Sequence, residues 1–355
     1  MYDQEFPQLA RTMLREPLTV GIRWASCHSR SRSIANVCNN RCLGKDVKPP
    51  RTNTLVALHH NERICVRRLV TVPMSEKPES PGSVDPRNKL NELTNTEWMI
   101  ETKSVWFSRP PQRDKLKARH PATFAESDIV RLIEFFTKSG QRVLDPFVGS
   151  GSTLVVCARC GRAGIGIELV GRWAEVARKR VAAESGALEQ TIINADTRHA
   201  MAAFEDESFD FIVTSPPYWM ILRKDWDHKV KAERKSKGLE TRYSDHEDDL
   251  GNMESYDDFL GELGRVFTEC GRVLGKRKYM CVVVSDFRHK SRFVAYHADI
   301  SRVVENAGFS LEGITILAQD SKNLYPYGLP FAFVSNIHHQ YILVFRKNSM
   351  RRGKS

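Results

Sequence analysis

The chain has 355 residues, enough for one elaborated α/β domain or for two domains. Its 54 Lys/Arg against 43 Asp/Glu give a formal charge of +11, which suits a polyanionic partner. No run of about 18 apolar residues supports a transmembrane helix, the first residues lack the apolar core of a secretory signal, and eight cysteines in so long a chain do not make a disulfide framework.

Residues 1–90 hold 15 Lys/Arg against 8 Asp/Glu, so the basic character leans toward the amino end. Helical periodicity is weak there and Arg, Ser, Asn and Pro are frequent, which predicts a disordered basic extension that closes with a linker at 75–83. Met74 is a candidate natural start. Cys27, His28, Cys38, Cys42 and Cys65 match no common finger spacing, so no metal site is expected.

One elaborated α/β domain is expected over 91–347. Trp98, Ile100, Val105, Trp106 and Phe107 form an apolar cluster around a charged break. The segment 117–124 includes His120, Pro121, Ala122, Thr123 and Phe124; an amphipathic helix follows over 127–136, with Glu126 or Ser127 as its cap. A strand over 142–146 leads into the turn Gly149-Ser150-Gly151 and a helix from about Ser152. Only two glycines of a G-x-G-x-x-G are in place, which weakens a dinucleotide reading. Cys157 and Cys160 fall on that helix and are read as packing residues. A strand over 163–169 places Glu168 nineteen residues past Gly149, near the interval of about 20 at which an acidic group meets ribose hydroxyls. A helix over 172–184 and a strand over 191–195, ending at Asp196, come next.

Four of the five residues from Phe209 to Val213 are apolar, which predicts a buried parallel strand. Ser215-Pro216-Pro217-Tyr218 stops it, because two prolines cannot donate ladder hydrogen bonds. A polar side chain and an aromatic ring are thereby held at the carboxyl end of a strand, where open α/β sheets keep their ligands. The polar stretch 220–254 carries Arg223 and Lys224 in its basic half; a loop this long starting at such a turn is a candidate grip on phosphates. Further elements are a helix over 256–273, a strand over 278–285, a helix over 296–307, and strands over 310–317 and 340–345. Between the last two lies a turn-rich aromatic loop with Tyr325, Tyr327 and Phe331, either packed inward or facing a planar ligand. The tail 348–355 is short and basic.

Together, 143–153 and 215–218 resemble the DNA amino-methyltransferases that use S-adenosylmethionine, over roughly residues 100–347. The resemblance implies a Rossmann-like methyltransferase fold: a mostly parallel seven-stranded sheet with an antiparallel carboxyl-terminal strand pair at its edge. It implies that His120–Phe124 close over the methionine end of the cofactor, and that Asp145, Pro146, Phe147, Gly149, Ser150, Gly151, Ser152 and Thr153 surround that end. Asp145 would accept from the ammonium, and the turn amides and hydroxyls would take the carboxylate. Glu168 would hold the ribose and Asp196 the adenine amino group. Ser215 Oγ and the Pro216 carbonyl would accept from the amino group of a base flipped out of double-stranded DNA, and Tyr218 would stack on it. Trp219, Arg223, Lys224, Tyr325, Tyr327 and Phe331 are the expected substrate contacts. Serine at the first motif position places cytosine N4 ahead of adenine N6. A cognate restriction endonuclease is an implied partner, and the implied location is cytoplasmic, at the nucleoid.

The order, cofactor motif before catalytic motif, departs from many Ser-Pro-Pro-Tyr enzymes. Rival readings are an RNA or protein-amide methyltransferase, against which Ser215 argues, and a non-catalytic nucleic-acid-binding subunit, against which two intact motifs argue.

Overall fold

The computed structural model describes residues 57–60 and 63–66 as backbone, and 82–108, 125–220, 246, 248–320 and 322–348 in full. The chain divides into two units, Met1–Ser75 and Glu76–Ser355. In the first unit, strands β1 (Ala57–His60) and β2 (Arg63–Val66) form an antiparallel hairpin where an irregular extension is expected from composition.

The expected linker at 75–83 lies almost wholly outside the described residues, which resume in the second unit at 82. The Asn91 side chain donates to the Phe135 carbonyl at 2.7 Å, and Lys138 Nζ donates to the Asn88 carbonyl at 2.6 Å, so residues 88–91, grouped by composition with the extension, are tied to the body. The apolar cluster around a charged break becomes helix α1 (Asn95–Glu101) and strand β3 (Val105–Phe107). Thr94 and Glu97 close a capping box on α1.

Helix α2 (Glu126–Phe136) is capped at neither expected residue: Ala125 holds the cap position without a side-chain bond. Then follow β4 (Arg142–Asp145), α3 (Ser152–Cys160), β5 (Ala163–Glu168), α4 (Gly171–Ala182), β6 (Gln190–Asn194), α5 (Thr197–Ala200) and β7 (Phe209–Thr214). The remainder is α6 (Tyr256–Val273), β8 (Leu274–Val284), the hairpin β9 (Phe287–His289) and β10 (Arg292–Val294), α7 (Tyr296–Asn306), β11 (Phe309–Ala318) and β12 (His339–Lys347).

The main sheet has eight strands in the order β3-β11-β12-β8-β7-β4-β5-β6. The seven expected strands are all present. β12 runs antiparallel to both β8 and β11, and the eighth strand, β3, pairs parallel with β11 and covers the edge that the β11–β12 pair was expected to form. Its three residues are too few for periodicity to reveal.

Alternation along the central strands explains the layering. Val143, Phe211, Val213, Cys281 and Val283 pack on one face with Ile129, Ile133 and Phe136 of α2. Leu144, Ile212, Met280, Val282 and Val284 pack on the other with Phe259, Leu263 and Phe267 of α6 and Ile300 and Val304 of α7. Both sheet faces are covered, which is why these strands read as continuous apolar runs. Helix α6 shows the complementary pattern: Ser255 caps it, Asp257 and Asp258 lie in its first turn, Arg272 lies in its last, and one apolar stripe is buried.

The parallel order β6-β5-β4 on one side and β7-β8 on the other reverses between β4 and β7. A crevice at the carboxyl ends of these two strands is the expected ligand site in an open α/β sheet. Among the described residues, no helix is long and apolar enough to cross a membrane.

Candidate active site

A cavity of about 420 Å³ lies at that switch point. It is lined by 145–150, Ser152 and Thr153 after β4, 167–170 after β5, 195–197 after β6 and 215–218 after β7, with 248–250, Gln319, Lys322 and Gln340 completing it. The two sequence motifs therefore open onto one space.

Asp145 is the knot between them. Its buried carboxylate accepts from Thr153 Oγ1 on α3 at 2.5 Å, from Thr214 Oγ1 on β7 at 2.7 Å and from the Phe147 amide at 3.1 Å. Burial pushes its pKa up to about 6, against the pull of those three bonds. With three internal donors the carboxylate is a brace between both motif loops, and about one of its roughly four acceptor sites is left for the ammonium contact expected from sequence.

The glycine turn needs its glycines. Gly149 and Gly151 have φ of 53° and 84°. A Cβ at Gly151 would sit 2.8 Å from Ala177 Cβ, so α3 and α4 approach only over a bare backbone here. Arg180 of α4 reinforces the turn from behind. Its guanidinium donates to the Ser150 carbonyl at 2.5 Å, lies 3.5 Å from Ser150 Oγ and 3.4 Å from Ser152 Oγ, and pairs with Glu126 at 2.5 Å. Both serines expected to bind a carboxylate are thus positioned by a buried arginine that motif reading missed. The signal was present: Trp173, Ala174, Ala177 and Arg180 share the buried stripe of α4, and a cation on such a stripe has a partner.

Glu168 accepts from the Val170 amide at 2.8 Å and from the Gly149 amide. Burial pushes it up to about 7, with Asp249 and Asp145 adding like-charge repulsion. Asp196 caps α5 and is gripped by Arg198, whose guanidinium reaches it at 2.5–3.1 Å. Burial works to raise the Asp196 pKa, but the Arg198 bonds and charge outweigh it and hold the carboxyl below its ordinary value. The acceptor that the resemblance sets at the adenine amino group is therefore also half of an ion pair.

After β7, Pro216 is buried and Ser215 is half-buried. Among the described residues no side chain or amide engages the Ser215 hydroxyl. The fully buried Tyr296 donates its hydroxyl to the Pro217 carbonyl at 2.9 Å, a clamp across 79 residues that no local pattern reveals. The Tyr218 hydroxyl accepts from the Ser285 amide at 2.9 Å and bonds to Gln340, and burial pushes its pKa up to about 12. Its ring packs at 5.5 Å from Tyr296 and 6.2 Å from Phe287. Gln340 accepts in turn from Gln319 Nε2 at 3.0 Å.

Four expected substrate contacts are not brought to the cavity. Trp219 donates Nε1 to the Met253 carbonyl at 2.8 Å and packs on Tyr256 and His289, which makes it a support of the 248–253 turn. Tyr325, Tyr327 and Phe331 stand on an exposed loop, with Phe331 93% exposed, and none lines the cavity. His120–Phe124, Arg223 and Lys224 lie outside the described residues.

Comparison with known proteins gives the same two segments. A family profile described as DNA methylase, of the N6/N4-methyltransferase type, matches residues 59–179 and 209–352. The chain is 41% identical over 86 residues to the Type II methyltransferase M2.DpnII of Streptococcus pneumoniae, covering 24% of this chain and 32% of that protein. It is 42% identical over 77 residues to the putative methylase YubD of Escherichia coli K12, covering 22% and 34%. The chain spans about a third of the length of these curated relatives. A putative DNA modification methylase of Thermus thermophilus, solved with S-adenosyl-L-methionine, is 28% identical with a TM-score of 0.29, covering 44% of this chain and 55% of that one. With its family profile matched over most of its length and on both sides of the cavity, the chain belongs to the DNA methylase family of N6/N4-methyltransferases.

Proposed function

We propose that this protein transfers a methyl group from S-adenosylmethionine to the exocyclic amino group of a base flipped out of double-stranded DNA, with cytosine N4 ahead of adenine N6. The observation that carries the reading is the buried Asp145–Thr214 bond, which ties the carboxyl end of β4 to that of β7, so that the turns that follow them open onto one cavity. The cavity volume lies within the range of about 300–1,000 Å³ typical of cofactor sites. The donor set suits the cofactor: amides and hydroxyls of the glycine turn for a carboxylate, and Glu168, with two internal donors, for a ribose diol. S-adenosylmethionine supplies, when bound, a methyl group activated on a sulfonium.

The protein's part is orientation. An exocyclic amine conjugated with its ring is a poor nucleophile, and acceptors at both N–H bonds turn its lone pair out of the ring plane. Ser215 Oγ and the Pro216 carbonyl are those acceptors. The proline pair and the Tyr296 clamp set their positions before substrate arrives, so little reorganisation remains at reaction. Tyr218, tied by Ser285 and Gln340, is the platform on which the base rests. The nitrogen gains a methyl and loses one of its two protons, and an acceptor already bonded to it provides the exit. Asp196 meets the adenine amino group with a carboxylate it shares with Arg198. His120–Phe124 close over the methionine end, and Arg223 and Lys224 hold phosphates of the DNA. A cognate restriction endonuclease is the partner suggested by the Type II names of the relatives.

The test is methyl transfer itself. Purified protein with radiolabelled cofactor labels double-stranded DNA, and the hydrolysate contains N4-methylcytosine. N6-methyladenine instead corrects only the base, whereas label confined to RNA or protein overturns the DNA assignment.

Glu168 makes cofactor binding pH-dependent. Its pKa near 7 in the free protein means that much of it is protonated just below neutrality, and only the carboxylate accepts from both ribose hydroxyls. Affinity therefore falls about tenfold per pH unit below about 7 and levels off above it, with proton release on binding in the lower range. Calorimetry in two buffers of different ionisation enthalpy measures both. Glu168→Gln flattens the profile, and a flat profile in the native protein would remove Glu168 from the ribose contact.

A further inference from the structure

The loop between β11 and β12 does not behave like the rest of the apolar sequence. From Asn323 to Asn336 it contains no Asp, Glu, Lys or Arg. Phe331 and Phe333 are 93% and 92% exposed, and Leu329 and Leu324 are 72% and 69% exposed. An exposed apolar group this concentrated marks a contact surface.

The loop is also braced from within. Asn336 bonds both the amide and the carbonyl of Tyr325 at 2.9 Å. The Phe331 and Ala332 amides both donate to the Gly328 carbonyl at 2.7 Å. Gly328 has φ of 75°, and a Cβ there would run into the Ala332 carbonyl. The rings are thus presented outward by a built turn.

Its place decides the occupant. The loop springs from the rim of the cavity: Gln319 and Lys322 line it on the way out and Gln340 lines it on the return. Anything seated in the cavity lies beside this apolar tip. If the occupant is a base drawn from a duplex, as the proposed function requires, the gap left in the stack is adjacent, flat and apolar, and an aromatic ring is its complement.

We propose that Phe331 and Phe333 wedge into the DNA stack at the position vacated by the target base, holding it open while the base occupies the cavity. This rests on the DNA methyltransferase reading and replaces the expectation that this loop walls the cavity.

The experiment compares two duplexes carrying the methylated sequence once mapped, one with the target base paired and one with it facing an abasic site. Pre-opened DNA needs no wedge. Phe331→Ser/Phe333→Ser lowers the transfer rate on the paired duplex by roughly tenfold to a hundredfold and on the pre-opened duplex by less than about threefold. Phe331→Tyr/Phe333→Trp restores the paired rate. Because both rings are almost fully exposed, the variant folds, which an unchanged melting temperature and unchanged cofactor affinity verify. Equal losses on both duplexes overturn the wedge while the methyltransferase reading stands. Unchanged rates with dissociation of a dimer in sedimentation, or with lost binding to anionic phospholipid vesicles, overturn it and assign the surface to a second copy or a membrane. A native protein inactive on both duplexes brings down the reading beneath it.

Discussion

Ser215→Ala lowers the rate of methyl transfer by roughly a hundredfold to a thousandfold, the size of effect seen when one preorganised polar contact to a reacting group is removed. The prediction rests on three features. The Ser215 hydroxyl lines the cavity and, among the described residues, has no internal partner, so its hydrogen-bonding capacity is left for substrate. Its backbone is pinned by Pro216, Pro217 and the Tyr296 hydroxyl, so alanine removes an acceptor without moving the turn. Among the described residues no hydrogen bond joins Ser215 to 145–153, so cofactor affinity stays within about twofold. The loss falls on kcat rather than on KM, because an interaction strengthened in the transition state is the one deleted. Ser215→Asn keeps an acceptor and recovers part of the rate. Single-turnover transfer from labelled cofactor measures the effect, and an alanine variant at the native rate would mean that the amino protons are held elsewhere.

The second large effect is on cofactor binding. Arg180→Met weakens S-adenosylhomocysteine about tenfold or more and leaves 5′-methylthioadenosine, which lacks the amino-acid end, within about twofold. Arg180 is buried behind the turn, holding the Ser150 carbonyl and standing beside both serine hydroxyls. Without it, those hydroxyls lose orientation and the carboxylate loses a positive charge behind the turn. Deleting one partner of a buried ion pair costs about 3–5 kcal/mol when the other is left unpaired. Glu126 keeps Arg159 at 2.6 Å, so the stability loss lies at or below the low end of that range. Arg180→Lys is intermediate, because a point charge cannot reach four acceptors as a planar fork does. Titration calorimetry with the two ligands and a thermal melt separate the cases. Equal weakening of both ligands would mean that the whole cofactor wall has loosened and would remove the specific role.

The parts of this molecule that were legible in advance are those with local causes. Val143 and Leu144 before a glycine turn, and Phe209–Val213 before two prolines, are apolar runs with chemical stops, and both became central strands buried on two faces. Thr94-x-x-Glu97 was a legible cap that composition alone did not draw out. What could not be read depends on distance along the chain. Tyr296 meets Pro217, Thr214 meets Asp145, and Arg180 meets Glu126 only because the sheet order brings them together. Asp145 and Asp196 were expected as acceptors for the cofactor, and neither a strand end nor a family resemblance says what else holds a carboxylate. Tyr325, Tyr327 and Phe331 left two expectations open, a loop packed inward or one facing a planar ligand. Aromatic content suggests a wall or a core, yet here the hydrogen bonds of the turn point the rings outward.

Five acidic residues, Asp145, Glu168, Asp196, Asp248 and Asp249, line the cavity against one lysine, Lys322, and even with Asp196 paired to Arg198 and Glu168 partly protonated the acidic groups predominate. Such a lining favours a guest with a positive centre over its neutral counterpart, by Coulomb attraction in a partly desolvated space. In the proposed reaction the donor carries a sulfonium in and leaves a neutral thioether sulfur behind, so a wall that recruits the reagent would loosen its hold on the remnant.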